Sequence, residues 1–308
     1  MQNNRILLTG GSGFLGKHVY KNLLENDYKD IYIPRKVDYD LRNLSKCSDL
    51  FKSVNPDTVI HLAATCGGIG ANMRSPGRYF YDNMSMGLNI IEQARLNDVK
   101  KFILIGTVCA YPKLCNIPFQ EKDIWKGYPE ETNAPYGVAK KSLFVMLDAY
   151  NKEYGFNSTV LVPSNLYGPY DNFEDHSSHV IPALIKKIDY ANKNGEDTVT
   201  IWGDGSVSRE FLYADQAAKA IVKSINVNTG PSPINLGSGE EITIKNLVNK
   251  LIDKMNFTGS ISWDTSKPNG QPRRCINANK AMSYLGWQNQ VNIDKGLDMT
   301  LEWYNNGV

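Results

Sequence analysis

Tyr136 and Lys140 stand four residues apart in a helix-like stretch, and together they could carry out proton transfer. In a helix this spacing places both side chains on one face. A free phenol has a pKa of about 10, and a nearby ammonium group lowers that pKa by favouring the phenolate. Such a tyrosine can donate a proton to a carbonyl oxygen as hydride reaches the carbon, while the lysine holds ribose hydroxyls. Because Tyr-x-x-x-Lys is common by chance, this interpretation needs support from the rest of the chain.

A glycine-rich segment at residues 9–16 supplies that support. Gly10, Gly13 and Gly16 follow a G-x-x-G-x-x-G spacing between a strand-like run and a helix-like run. Glycine permits a tight turn and lets the backbone approach a pyrophosphate, and the helix N-terminus that follows offers free N–H groups. We therefore favour dinucleotide binding over an ordinary turn. The expected contacts are Gly10, Ser12, Gly13, Phe14, Leu15 and Gly16.

The residues after the second strand bear on which dinucleotide binds. A site for NAD usually presents an acidic side chain to the ribose hydroxyls there. This chain has Arg35 and Lys36 instead, and two cations favour a 2′-phosphate and hence NADP(H), with Arg35 as the expected contact. The alternative is a solvated basic turn, and the nearby Asp38 argues against a phosphate.

Strand-like and helix-like segments alternate through the first half of the chain. This order indicates right-handed βαβ units and a parallel sheet with helices on both faces. We predict an α/β protein with a Rossmann-type doubly wound parallel sheet and a smaller α/β substrate-binding domain. The first domain covers residues 1–164, with return segments near 211–237, and the second covers mainly 165–308. The expected segments are strands at 6–9, 31–33, 58–62, 101–106, 159–162 and 234–236, and helices near 14–25, 44–54, 77–97 and 134–154.

The composition excludes several classes of protein. The 308 residues include 34 Lys and Arg against 32 Asp and Glu, so no basic surplus points to nucleic acid. No apolar run approaches the ~20 residues of a membrane helix, and the N-terminus lacks a signal-peptide pattern. Five cysteines and four histidines show no metal-ligand spacing, and the odd cysteine count argues against a disulfide scaffold. We expect a cytoplasmic protein of enzyme size, with no metal, membrane or nucleic-acid site.

The glycine loop and the Tyr136–Lys140 pair together resemble the extended short-chain dehydrogenase/reductase family. The resemblance implies a third catalytic position at Thr107, whose hydroxyl would polarise the substrate carbonyl. The alternative is an ordinary β-branched strand residue. Dehydratases of this family carry Thr-Asp-Glu at that strand end, whereas this chain has Thr-Val-Cys at 107–109, so dehydration is not expected. The other expected cofactor contacts are Asp40, Leu41, Ala63 and Lys140.

Longer stretches extend the resemblance over almost the whole chain. They lie at residues 61–64, 67–72, 106–112, 133–136, 165–169, 171–173, 179–184, 202–205, 209–212, 267–270 and 272–273. These stretches look like the GDP-L-fucose synthases. That resemblance implies conversion of GDP-4-keto-6-deoxy-D-mannose to GDP-L-fucose, by epimerisation at C3 and C5 and reduction of C4 with NADPH. It also implies a homodimer formed through the helices near 77–97 and 134–154.

The implied double epimerisation needs a base and an acid on opposite faces of the sugar. A ketone at C4 acidifies the hydrogens on both neighbouring carbons, so one pair of groups can serve both inversions. Cys109, as a thiolate, is the base candidate, and His179, with an ordinary pKa of about 6.5, is the acid candidate. The alternatives are a small buried apolar residue for Cys109 and a surface-loop histidine for His179. Tyr136 and Thr107 would bind the enolate oxygen as they bind the ketone.

GDP requires cations for its diphosphate and a flat partner for guanine. Arg209 is the preferred diphosphate ligand because a guanidinium engages two oxygens at once. Lys187 and Arg273 are further candidates. Trp202 would stack or pack against the nucleotide, and Asn165 would hydrogen-bond near the sugar or diphosphate. The alternatives are ordinary surface charge for Lys187 and core filling for Trp202.

Several rival functions stay open from the sequence. One is a C4-reductase, with or without epimerase activity, for a GDP-4-keto-6-deoxy-heptose. The others are a non-catalytic NADP-binding sensor and a UDP-sugar 4-epimerase that retains its NAD. Ser12 replaces an arginine that relatives often carry in the glycine loop, which weakens the preference for NADP. We expect His61 to pack under the cofactor, Cys66 to have no role, His176 to be exposed, and Cys47 and Cys275 to be structural.

Overall fold

The computed structural model describes residues 4–175, 177–267 and 270–307. In these ranges the strands are β1 (Ile6–Thr9), β2 (Ile31–Tyr32), β3 (Thr58–His61), β4 (Lys101–Ile105), β5 (Ser158–Pro163), β6 (Asn165–Tyr167), β7 (Thr198–Trp202), β8 (Ser208–Tyr213), β9 (Ile234–Leu236), β10 (Glu241–Thr243), β11 (Ser260–Asp264) and β12 (Arg273–Arg274). The helices are α1 (Phe14–Glu25), α2 (Leu44–Val54), α3 (Ile69–Arg74), α4 (Pro76–Leu96), α5 (Ala134–Tyr154), α6 (Val180–Asn194), α7 (Ala214–Lys223), α8 (Ile244–Met255), α9 (Asn279–Leu285) and α10 (Ile293–Asn305). Short 3-10 helices cover Val108–Ala110, Glu121–Trp125 and Ser224–Asn226.

The main sheet is parallel throughout, with the strand order β2-β1-β3-β4-β5-β9. The direction of strand addition reverses beside β1. Ligands of open α/β sheets bind in the crevice that such a reversal leaves at the carboxyl ends of the strands. The Rossmann-type doubly wound sheet predicted from the sequence is confirmed.

Helices cover both faces of this sheet, which is why β1, β3, β4 and β5 are buried at every residue. On one face Leu7 packs in a core with residues of α2, α4 and α5. On the other face Ile6 and Leu8 pack with residues of α1, α7 and α9. Alternate strand residues thus enter two separate cores, and the carboxyl ends of the strands are held rigidly between them.

A smaller α/β unit follows the main sheet. Its β8 lies between β10 and β12 and also pairs with β6, while β7 and β11 form a separate two-stranded sheet. Helices α6, α8 and α10 pack around a core that includes Ile185, Leu247 and Leu297. Since β9 rejoins the main sheet, the chain crosses between the two units more than once. We retain residue 165 as the proposed start of the smaller domain.

The predicted segments can be compared directly with the structure. Helix α5 covers the predicted 134–154, has Pro135 in its first turn, and ends at Gly155 in a left-handed conformation (φ 66°). The predicted strand at 31–33 is one residue shorter, and α3 has no counterpart among the predictions. None of the helices in the described residues is long and apolar enough to cross a membrane. His176, expected to be exposed, and residues 268–269 of a family-like stretch lie outside the described residues.

Candidate active site

A cleft of about 930 Å³ opens at the carboxyl ends of the main-sheet strands and is lined by residues of both units. It brings together nearly all of the predicted site residues, and its lining does not include the predicted Arg35 and Arg273. The predicted residues that line it are Gly10, Ser12, Gly13, Phe14, Leu15, Gly16, Asp40, Leu41, Ala63, Thr107, Cys109, Tyr136, Lys140, Asn165, His179, Lys187, Trp202 and Arg209.

The glycine loop before α1 requires residues without side chains. Gly10 has a left-handed conformation (φ 73°), and a Cβ there would lie 2.7 Å from the backbone nitrogen of Ala63. A Cβ at Gly16 would lie 2.2 Å from the carbonyl oxygen of Gly10. No side chain caps the helix N-terminus at Gly13, so its first N–H groups are available to an anion in the cleft. These features fit the pyrophosphate of a dinucleotide.

Charged side chains after β2 form an ion-paired cluster at the same end of the cleft. Arg42 lies 2.6 Å from Asp40 and 3.1 Å from the buried Asp82. The hydrogen bond from Arg42 lowers the pKa of Asp40 to about 2. Lys36 lines the cleft here, whereas Arg35 is exposed outside the lining. The structure therefore favours Lys36 over the predicted Arg35 as the contact for a cofactor phosphate.

The turn after β4 presents Thr107 and Cys109 to the cleft. Thr107 caps the 3-10 helix Val108–Ala110, and its Oγ1 accepts a hydrogen bond from the Cys109 backbone N–H at 3.1 Å. Helix α5 packs directly on this turn, because a Cβ at Gly137 would lie 2.2 Å from the Cys109 carbonyl oxygen. Gly137 thus brings Tyr136 to the turn. This role was not predicted from the sequence, although the glycine lies inside the Tyr-x-x-x-Lys segment.

Tyr136 is the proton-donor candidate, and the surroundings of its phenol differ from the expectation. Burial raises its pKa well above the ordinary value, nearby Cys66 and Cys109 raise it further, and a hydrogen bond with Thr107 opposes the rise. Lys140 donates from Nζ to the Ile105 carbonyl at 3.0 Å, and burial lowers the pKa of Lys140 to about 8. The net pKa of Tyr136 therefore lies above its ordinary value, contrary to the lowering expected from the sequence. The phenol stays protonated at neutral pH, as a proton donor must.

His179 lies at the N-terminus of α6 with 42% of its side chain accessible on the cleft side. Its Nδ1 is 3.5 Å from Oδ1 of Asp171, whose side chain is almost fully buried. Burial lowers the pKa of His179, but the hydrogen bond and charge of Asp171 outweigh burial and raise it overall. The imidazolium form, which an acid requires, is therefore favoured. Asp171 lies in a stretch that the sequence analysis noted, but its pairing with His179 was missed.

The segment that carries His179 is held by the glycines of the 66–70 loop. The N–H of Gly68 donates to the Ser177 carbonyl at 3.3 Å. A Cβ at Gly68 would lie 2.8 Å from the Ser178 carbonyl oxygen. The two backbone segments are therefore in contact on this side of the cleft, and His179 lines the same cleft as Cys109 and Tyr136.

The smaller unit supplies the polar wall of the cleft. Arg209 on β8 is 8% exposed, and burial followed by the charge of Arg274 lowers its pKa to about 10. Lys187 donates to the Thr200 carbonyl at 2.8 Å, and Asn165 donates to the Glu210 carbonyl at 2.7 Å. Trp202 is 52% exposed on the cleft lining, so core filling does not explain it.

The two arginines of β12 have different surroundings. Arg273 is exposed and pairs with Glu241 at 2.6 Å. Arg274 is buried, lines the cleft, and places Nη1 3.7 Å from the Cys109 sulfur. Successive residues of a strand point to opposite faces, so only one of them can enter the site. We therefore propose Arg274 in the place that the sequence analysis gave to Arg273.

Comparison with known proteins agrees with this architecture. The family model described as the NAD dependent epimerase/dehydratase family matches residues 6–237. The chain belongs to this family. Within this epimerase/dehydratase family, the chain is 34% identical to GDP-L-fucose synthase of Escherichia coli, covering 99% of this chain and 97% of the relative. It is 36% identical to GDP-L-colitose synthase of Yersinia pseudotuberculosis, with 98% of each chain covered.

Two solved structures with the same architecture bear on the substrate and on the cofactor, respectively. A GDP-6-OMe-4-keto-L-xylo-heptose reductase from C. jejuni has a TM-score of 0.91 at 27% identity, with 99% of each chain covered. A GDP-L-fucose synthetase from Naegleria fowleri bound to NADP has a TM-score of 0.90 at 29% identity, covering 99% of this chain and 95% of that one.

Three further side chains of this epimerase/dehydratase-family chain, one histidine and two cysteines, can be compared with the expectations from the sequence. His61 is buried, its Nδ1 lies 2.8 Å from Thr9 Oγ1, and burial lowers its pKa to about 3, so it packs as a neutral side chain. Cys47 is buried in the core, as expected. Cys66 lines the cleft and shares a hydrogen bond with Tyr136, so it lies closer to the chemistry than expected. In the described part of the chain, no His, Cys, Asp and Glu cluster could hold a metal.

Proposed function

We propose that this enzyme converts GDP-4-keto-6-deoxy-D-mannose to GDP-L-fucose by epimerising C3 and C5 and reducing C4. The broader class is established: it is an NADP(H)-dependent epimerase–reductase of nucleotide sugars, of the GDP-L-fucose synthase type. The observation that carries the specific proposal is that Cys109 and His179 line the same cleft as Tyr136 and Thr107. A plain carbonyl reductase needs the last two but has no use for an additional acid–base pair.

The ketone at C4 determines how the epimerisation works. It acidifies the hydrogens on C3 and C5, since the resulting enolate places its charge on the C4 oxygen. In each inversion the Cys109 thiolate removes the proton and the His179 imidazolium delivers one to the opposite face of the carbon. Between the two inversions the thiol loses its proton to solvent and the imidazole takes one up. Tyr136 and Thr107 donate hydrogen bonds to the oxygen throughout. A single oxygen site therefore serves both inversions.

The reduction uses the same oxygen site after the inversions. When bound, NADPH supplies hydride to C4. The protonated Tyr136 donates its proton to the C4 oxygen as negative charge develops there. The buried Lys140 lies one helical turn along α5, where its ammonium can hold ribose hydroxyls and replace the lost phenol proton. The buried phenol resists ionisation before the substrate arrives, which keeps its proton for this step.

Substrate binding depends on local charge, because the whole chain has a net charge of only +2. We propose that Arg209 and Arg274 hold the diphosphate, with Lys187 beside them. Trp202 offers an exposed ring to the guanine at the cleft margin. Asn165, fixed by its bond to the Glu210 carbonyl, faces the sugar end.

A second candidate is reduction of a GDP-4-keto-6-deoxy-heptose, with or without epimerisation. The supporting observation is the full-length likeness to a heptose reductase from C. jejuni, at a TM-score of 0.91. The two substrates share the diphosphate, the nucleoside and the ketone, and they differ in carbons beyond the ring. Reduction of either ketone would use Thr107, Tyr136 and Lys140, whereas Cys109 and His179 would act only where the sugar is also epimerised.

Product analysis separates these candidates. The purified enzyme is given GDP-4-keto-6-deoxy-D-mannose and NADPH in heavy water, and the product is examined by NMR. We expect deuterium at both C3 and C5 and the L-fuco configuration. The keto-heptose analogue is tested in parallel at equal concentration. A higher kcat/KM on the heptose, or a product without deuterium, would exclude the main proposal.

We also propose a cytoplasmic homodimer formed through α4 and α5. The outer surfaces of these helices carry exposed apolar side chains, among them Phe80, Tyr81, Leu88 and Val145. A second copy would cover these surfaces in a four-helix arrangement. The free cysteines suit a reducing compartment. Sedimentation of the wild type and of a Tyr81→Glu variant tests the dimer, and an unchanged sedimentation coefficient would contradict it.

Removing the Asp171 carboxylate should shift the pH dependence of epimerisation. Asp171 raises the pKa of His179, so the imidazolium persists to higher pH than in free histidine. The stabilising interaction between Asp171 and the His179 imidazolium is fully present below the pKa of histidine in the unfolded chain, about 6.5. It is lost as the pH rises through the raised pKa of His179 in the folded protein. In Asp171→Asn the loss of deuterium uptake on the alkaline side should begin at lower pH. Uptake is measured by NMR from pH 5 to 9, with Asp148→Asn on α5 as the control. Identical alkaline limbs in Asp171→Asn and wild type would contradict the pairing.

Lys36 and Arg35 form a matched pair for testing the cofactor phosphate. Since Lys36 lines the cleft and Arg35 does not, Lys36→Ala should raise the KM for NADPH by about tenfold or more and change that for NADH much less. Arg35→Ala, which removes the same charge from the neighbouring position, should affect both cofactors equally. Steady-state kinetics with each cofactor gives the comparison. A selective effect of Arg35→Ala alone would restore the prediction made from the sequence.

A further inference from the structure

We propose that Arg274 is a positioning residue that holds the Cys109 sulfur as a thiolate facing the sugar. This inference rests on the proposed function, in which Cys109 is the base. The proposed role is separate from diphosphate binding, because an arginine that only binds the diphosphate does not need to contact the Cys109 thiol.

The geometry fixes the guanidinium against the sulfur. Nη1 of Arg274 donates to Cys109 Sγ at 3.7 Å, and its Nε donates to Gln271 Oε1 at 3.2 Å. Gln271 is itself anchored, since its amide donates to the Lys113 carbonyl at 2.7 Å. Arg274 also pairs in register with Arg209 of β8 and is only 8% exposed. The side chain therefore meets the thiol from a fixed backbone position.

The buried positive charge of Arg274 would be stabilised by a nearby anion. Its side-chain partners in the described part of the chain are Gln271 and Cys109, and no carboxylate pairs with it there. Arg209 lies close enough that the two cations repel. A buried cation without a carboxylate is stabilised by any anion that forms beside it. A thiolate at Cys109 meets this need before the substrate diphosphate arrives.

The cleft contains a second thiol, Cys66, so the contact between Arg274 and Cys109 also distinguishes between two sulfurs. Cys66 also lines the cleft, but its hydrogen bond is to Tyr136, and burial raises the pKa of the Cys66 thiol. The guanidinium contacts only one of these two sulfurs in the described hydrogen bonds. Arg274 therefore selects Cys109 rather than Cys66 as the sulfur that ionises.

The rate at which iodoacetamide alkylates Cys109 tests this directly. The reagent is uncharged, and the thiolate displaces iodide from it, so the rate reports the ionised sulfur in enzyme free of substrate. Mass spectrometry follows Cys109 at pH 7 in a Cys66→Ser background. Arg274→Met should slow alkylation by about tenfold or more, and Arg274→Lys should recover most of the rate. Arg273→Met, which removes the same charge from the next residue, should leave the rate of alkylation as it is.

The outcomes distinguish this inference from the proposed function. An unchanged alkylation rate in Arg274→Met, with a raised KM for the sugar nucleotide, would overturn the positioning role and leave diphosphate binding. Arg274→Gln provides the second comparison if Arg274→Met no longer binds NADPH. Full deuterium uptake by Cys109→Ser would instead remove Cys109 as the base, whatever the alkylation rates are. If Arg274→Met slowed the alkylation of Cys109 but left deuterium uptake at C3 and C5 normal, the contact of Arg274 with Cys109 would have no part in epimerisation.

Discussion

Replacing Tyr136 with phenylalanine should abolish reduction at C4 while sparing part of the exchange at C3 and C5. We expect the rate of NADPH oxidation to fall by about 10²- to 10⁴-fold, the range for loss of a positioned general acid. The change removes one oxygen and keeps the ring, so the packing of α5 on the Cys109 turn should survive. Exchange persists in part because Thr107 still donates to the enolate oxygen.

The two activities are measured on the same sample. Loss of absorbance at 340 nm follows reduction, and NMR in heavy water follows exchange. Tyr128→Phe, an exposed tyrosine outside the cleft lining, is the matched control. If Tyr136→Phe oxidised NADPH at the wild-type rate, the proton would have to come from another group, and Tyr136 would lose its assigned role.

The second large effect is expected from Cys109→Ser. A serine hydroxyl is a far weaker acid than a thiol, so almost no alkoxide is present at neutral pH to remove the C3 or C5 proton. We expect deuterium uptake at both carbons to fall by roughly 10²-fold or more. The backbone N–H of residue 109 still donates to Thr107, so the turn itself should be retained.

Uptake is measured by NMR in heavy water, with Cys115→Ser as a thiol control away from the cleft lining. NADPH binding by fluorescence confirms that the variant is folded. Uptake that survives in Cys109→Ser and disappears in Cys66→Ser would exchange the roles of the two sulfurs. Uptake that survives in both would place the base outside the thiols altogether.

The parts of the fold that the sequence could predict are those whose signals are local. Gly13 and Gly16 lie against the carbonyl oxygen of Gly10 in the same segment, so this part of the glycine pattern can be read without the rest of the chain. Helix α5 was likewise bounded by Pro135 and Gly155, which act on their own turns. The parallel sheet could be predicted because its strands are continuous apolar runs, which are typical of strands buried on both faces.

The parts that could not be predicted depend on residues distant in sequence. Which of Arg273 and Arg274 enters the cleft is decided by the pairing of β12 with β8, two strands more than sixty residues apart. The pKa of Tyr136 rises because folding buries the phenol beside Cys66 and Cys109, which no spacing rule reveals. The partner of His179 was within reach, since Asp171 lies eight residues away, but only the path of the loop brings them together.

The contact between Gly137 and the Cys109 carbonyl has a consequence for how such enzymes can diversify. A Cβ at Gly137 would lie only 2.2 Å from that oxygen, so α5 and the Cys109 turn are in direct backbone contact. We therefore expect this side of the cleft to stay fixed when a bulkier sugar has to be accommodated. Any enlargement must therefore come from the opposite side, where α6, β8 and β12 carry long side chains that can be shortened singly. Libraries aimed at new sugars should vary those elements and leave the helix–turn seam untouched.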